Sequence, residues 1–110
     1  MGRYITTIGT AGATTREVST TFSASVNDRV LANTSGGAYT ITLPANASLL
    51  DGDTIQIIDI SNNAANNNLT VGRNGKLIQG DSADMTVNSE GAAFDLVYSG
   101  DSYGWRILTV

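Results

Sequence analysis

The chain has 110 residues, with 10 acidic and 6 basic side chains and a formal net charge of −4. That length suits one domain with a thin core, and that charge argues against duplex nucleic acid or an anionic membrane as the main partner, since both select clustered Lys and Arg. Cysteine and histidine are both absent, which removes disulfides, the thiol nucleophile, the commonest general base and most transition-metal ligand sets.

Thr (14 residues), Ser (10), Asn (10) and Gly (12) fill much of the chain. Thr packs well on a pleated surface, whereas Asn, Ser and Gly favour the turns between strands. The expectation is an all-β domain, a compact antiparallel sandwich or barrel of jelly-roll type, over residues 16–110, with a short extended arm over 1–15. No apolar run approaches the ~18 residues of a membrane-spanning helix. The N-terminus lacks the charged-then-apolar pattern of an export leader, so assembly in a cytosol is expected.

Residues 1–15 carry Tyr4, Ile5 and Ile8 among small polar residues. Such a segment is either a frayed terminus or an arm that orders on a neighbouring subunit, and three sizeable apolar side chains in five residues favour the arm. Alternation then begins: Val18, Thr20 and Phe22 interleave with Ser19, Thr21 and Ser23, a short run follows at 29–32, and Tyr39, Ile41 and Leu43 interleave with Thr40 and Thr42. Pro44 ends that strand, because it cannot donate to a ladder. Residues 45–53 read as a compact turn with room for one helical turn. Residues 54–60 are apolar on both faces, which places that strand centrally and covered on both sides.

An Asn-rich loop at 61–68 leads into Leu69–Gln79, where Asn74-Gly75 predicts a two-residue type I′ hairpin. Its register sets Arg73 opposite Lys76 and Val71 opposite Ile78. The like-charged pair is either a screened hairpin tip or a contact for partner carboxylates. Strands at 84–88, 92–98 and 105–110 complete the pattern, with turns at Glu90-Gly91 and 99–102. No internal repeat and no second domain are visible.

Carboxylates are the only acid–base groups in number, yet nearly all of Glu17, Glu90 and the eight Asp lie in or beside turns, where structure alone requires them. Asp51-x-Asp53 and Asp81-x-x-Asp84 fall well short of the six to eight oxygens that calcium needs. No enzyme activity, metal or cofactor is expected. Tyr98, Tyr103 and Trp105 could form a glycan-stacking platform, although packing in a core or interface is the commoner use of such rings.

From about Phe22 to Leu108 the chain resembles a β-domain of structural proteins in tailed phages, notably marine and cyanobacterial ones. The matching pieces run from Asp28-Arg29-Val30-Leu31-Ala32-Asn33-Thr34-Ser35-Gly36-Gly37 and Tyr39-Thr40-Ile41-Thr42-Leu43-Pro44 to Gly52-Asp53-Thr54-Ile55-Gln56-Ile57-Ile58-Asp59. They continue through Asn67-Asn68-Leu69-Thr70-Val71-Gly72-Arg73-Asn74-Gly75 and Ile78-Gln79-Gly80 to Leu96-Val97-Tyr98 and Gly104-Trp105-Arg106. The resemblance implies a virion structural module, often trimeric, with no catalytic residues. Coiled-coil and repeated shaft segments are missing, so a head decoration (cement) protein is expected. Such a protein is expected to be a homotrimer and to staple the major capsid protein or another virion protein through arm and β-domain. A tail-fibre, baseplate or neck module, with a glycan-binding role open to it, is the alternative.

Overall fold

The computed structural model describes residues 13–108, and every regular element within them is a strand. The strands are β1 (Thr14–Val18), β2 (Phe22–Ser23), β3 (Asp28–Ala32), β4 (Tyr39–Thr42), β5 (Thr54–Asp59), β6 (Leu69–Gly72), β7 (Met85–Val87), β8 (Ala93–Tyr98) and β9 (Trp105–Leu108). They form a five-stranded sheet in the order β1-β3-β5-β8-β9 and a four-stranded sheet in the order β2-β4-β6-β7. Both sheets are open, so no barrel is formed among the described residues. Thr14 and Thr15, read from sequence as part of the arm, are paired residues of β1, opposite Asp28 and Arg29.

The expected antiparallel pairing needs correction. The first six strands go alternately to the five-stranded and the four-stranded sheet, and β1-β3, β3-β5, β2-β4 and β4-β6 are all parallel. The chain therefore winds in coils, each laying one strand in each sheet and returning in the same direction. Only β5-β8, β8-β9 and β6-β7 are antiparallel. Turn chemistry marks where strands end, but it does not reveal that the next strand has moved to the other sheet.

The continuous strand expected from Val18 to Phe22 is broken for this reason. The chain bends at Ser19-Thr20, sending β1 and β2 to different sheets. The corner is held by Asn33 N–H on the Val18 carbonyl at 2.8 Å and by the Tyr39 hydroxyl on the same oxygen at 3.1 Å. The predicted hairpin is half right. Asn74 and Gly75 do adopt positive φ (51° and 85°), and Lys76 N–H reaches the Arg73 carbonyl at 3.1 Å, as a type I′ turn requires. The returning segment, however, does not pair with β6. Gln79 N–H bonds Trp105 O and Trp105 N–H bonds Leu77 O, so it runs beside β9, while β6 lies between β4 and β7.

Residues 45–53 form turns without a helical turn. Asn46 Oδ1 accepts from Ser48 N–H at 3.2 Å, and Asp53 Oδ2 from Leu50 N–H at 2.7 Å. In the Asn-rich loop, Asn67 Nδ2 donates to Thr34 O at 2.8 Å and Ser61 Oγ accepts from Thr34 N–H at 3.1 Å, tying consecutive coils together.

One core cluster draws on both sheets. Val30, Ile55, Ile57, Leu96 and Trp105 come from one side, Ile41, Leu69 and Val71 from the other. Each buried aliphatic side chain of this size contributes roughly 1.5–3 kcal/mol. β5 is the middle strand of its sheet, as its sequence predicts, but only one face is sealed: Ile55, Ile57 and Asp59 are buried, while Thr54, Gln56 and Ile58 are half-buried.

Candidate interaction surface

Several of the acids are occupied by structure. Asp28 accepts from Arg16 Nε at 3.2 Å and from Ser25 N–H at 2.8 Å. Asp59, 3% exposed, accepts from Gly91 N–H at 3.0 Å, Ala64 N–H at 3.1 Å and Ser61 Oγ at 3.2 Å. Burial alone would raise its pKa, but these donors outweigh burial and hold the carboxyl below its ordinary value. Asp84 accepts from Arg73 N–H at 2.9 Å. Among the described residues no three His, Cys, Asp or Glu side chains come together as a metal-holding group.

Tyr4, Ile5 and Ile8 lie outside the described residues. Arg73 and Lys76 flank their turn, but their charged groups are engaged within the chain. Arg73 Nη1 donates to Lys76 O at 3.0 Å, and Lys76 Nζ pairs with Asp101 at 2.9 Å, 5.9 Å from the centre of the Tyr98 ring. The Tyr98 hydroxyl donates to the same carboxylate. That bond and Lys76 together hold Asp101 below the ordinary carboxylate range, and Asp101 in turn raises Lys76 and Tyr98.

The three-ring platform is not formed. Trp105 is 0% exposed and Tyr98 4%, whereas Tyr103 is 64% exposed. Trp105 and Tyr98 face inward from β9 and β8 as part of the core, so neither ring face can receive a sugar.

Besides the single exposed side chains Leu50 and Ile60, uncovered apolar groups gather in two places. The first is a lip of about 320 Å³ between the sheets, lined by Met85, Val87, Ala92, Phe94 and Ile107. Each strand residue here continues a core row to the edge: Met85 is opposite Val71, Val87 opposite Leu69, Phe94 opposite Ile57, and Ile107 opposite Leu96. The second is the outer face of the five-stranded sheet. Its register aligns Thr15, Arg29, Gln56, Asp95 and Leu108 in one row across all five strands, and Glu17, Leu31, Ile58 and Ala93 in the next. Leu31, Ile58 and Val97 there are half-buried, and Leu108 is 51% exposed.

Sequence reasoning missed this second surface. The apolar residues on both faces of β5 were read as a strand covered on both sides, whereas one of its faces is only half-buried. The chain matches no protein-family model and no curated relative.

Proposed function

We propose that this chain is a non-enzymatic structural protein of a tailed-phage virion, a head decoration (cement) protein that joins protein surfaces as a symmetric homo-oligomer. The two sheets act as layers of a sandwich, and their free surfaces serve adhesion. The observation that carries the reading is the outer face of the five-stranded sheet. Parallel strands are normally covered on both faces, yet β1, β3 and β5 have the core on one side and no further strand of the described chain over the half-buried Leu31 and Ile58 on the other. A surface built this way favours a protein partner. The sequence resemblance over residues 22–108 supplies the virion setting, and Tyr4, Ile5 and Ile8 serve as arm anchors on a capsid or sister subunit.

The test is an electron-microscopy reconstruction of the particle that carries this protein. Density for the β-domain is expected at symmetry points of the head lattice. Density at the tail or neck would transfer the protein to an appendage, and its absence from the particle would end the virion reading. Capsids offered a chain lacking residues 2–12 should show reduced occupancy, and unchanged occupancy would remove the arm from the proposal.

A further inference from the structure

The central row of the outer face has a symmetry of its own. Arg29 on β3 and Asp95 on β8 are both register partners of Gln56 on β5. They stand on either side of the middle strand at equal distances, about 4.8 Å each from neighbouring strand spacing. Arg29 Nε is turned onto Gln56 Oε1 at 2.5 Å and Nη1 lies 3.4 Å from Thr15 Oγ1. The ion pairs among the described residues are Arg16–Asp28 and Lys76–Asp101, so neither Arg29 nor Asp95 has an opposite charge beside it among those residues. Beside this row, Ile58 sits on the middle strand between Leu31 and Ala93.

We propose that two copies of this chain pair through this face, about a two-fold axis running along β5. With the strands of the two copies kept aligned, this face can be laid on its own copy about two in-plane axes, one along the strands and one across them. An axis across the strands sets Arg29 over Arg29 and Asp95 over Asp95. An axis along β5 exchanges the β3 side with the β8 side, setting Arg29 of each copy over Asp95 of the other, Gln56 over Gln56, Ile58 over Ile58 and Leu31 over Ala93. Charge therefore selects the second axis, because like charges brought face to face cost binding and opposite ones favour it. Aligned sheets about 10 Å apart bring the side chains of facing rows into contact. A self-complementary face is the signature of a two-fold contact; a three-fold contact joins two different patches. The inference rests on the oligomer reading above and assigns its contact and symmetry.

The experiment is sedimentation equilibrium on the full chain and on two charge-reversed variants, Arg29→Glu and Asp95→Arg. The wild type is expected to be dimeric at tens of micromolar. Each variant alone places like charges opposite each other twice, and its dimer should weaken at least tenfold. A one-to-one mixture of the two variants should recover the dimer, since the carboxylate introduced in one copy then faces the guanidinium introduced in the other. Variants that stay dimeric, or a mixture that stays monomeric, overturn the pairing. A wild-type trimer unaffected by either variant overturns the pairing alone, and a wild-type monomer overturns the oligomer reading with it. Ile58→Cys gives an independent readout in a chain without cysteine. A short bis-maleimide, whose spacer suits sheets about 10 Å apart, should cross-link it into dimers, while Thr70→Cys on the other sheet should stay uncross-linked. Equal cross-linking of the two would also overturn the pairing.

Discussion

Tyr98 and Trp105 face each other across the β8–β9 register, their ring centres 5.2 Å apart and their planes at 59°. This tilted contact adds to the area both rings bury. Trp105→Ala should therefore cost about 3–5 kcal/mol, the range for emptying a large aromatic site. The indole Nε1 is buried without a partner among the described residues, so Trp105→Phe forfeits none of their hydrogen bonds and should cost less than half as much. Urea unfolding of both variants checks the ratio, and equal costs would contradict this account. Since Trp105 is a core residue, glycan binding is better probed at Tyr103, whose ring is outside.

Gly104 precedes that tryptophan with φ of +72°, and a Cβ placed there would collide with the Leu77 carbonyl. The same carbonyl accepts the Trp105 N–H at 2.8 Å, so it cannot retreat without losing that bond. Gly104→Ala should be destabilised by about 3 kcal/mol or more, combining backbone strain with the clash. Gly52 has φ of +91° but open space around it. Gly52→Ala should cost only about 1 kcal/mol, from strain alone. Thermal melts that rank the two variants the other way would refute the steric argument.

Asn74 shows what local chemistry can and cannot disclose. Its positive φ follows from the Asn-Gly pair, and its side chain adds a bond from Nδ2 to Leu43 O at 3.1 Å, across to the end of another strand. Asn74→Ala loses both and should cost about 1–2 kcal/mol, whereas Asn74→Gly keeps the turn and should cost about 1 kcal/mol. Denaturation midpoints for the two variants distinguish these costs.

The turn was readable and the pairing around it was not. Residues one or two apart decide a type I′ turn, but the partner of Leu77 is fixed by Trp105, far along the chain. The coils were hidden for a related reason. Thr14 pairs with Asp28, but Arg29 pairs with Gln56 and Tyr39 with Leu69, so loops of unequal length erase any fixed period. Period-2 alternation did place Ile41 and Leu43 inward, because that pattern depends on the strand alone. Arg29 and Asp95 were ordinary polar positions until the register set them on one row.

Asp59 links three segments, since its carboxylate holds Ser61, Ala64 and the Gly91 turn. Its pKa is lowered in the fold, so on acidification the unfolded chain takes up this proton before the folded one does. Its contribution is whole above about pH 4, near the ordinary carboxylate value, and is lost as pH falls through the lower folded value. Asp59→Asn should be destabilised at neutral pH, because its amide can point a donor at the donors already there. Its stability should also fall less steeply than the wild type's below pH 4. Asp59→Ala leaves the Ala64 and Gly91 N–H groups without their acceptor and should cost about 2–4 kcal/mol. Urea titrations between pH 2.5 and 7 measure both effects; parallel pH curves for Asp59→Asn and wild type would show that another carboxylate governs the acid limb.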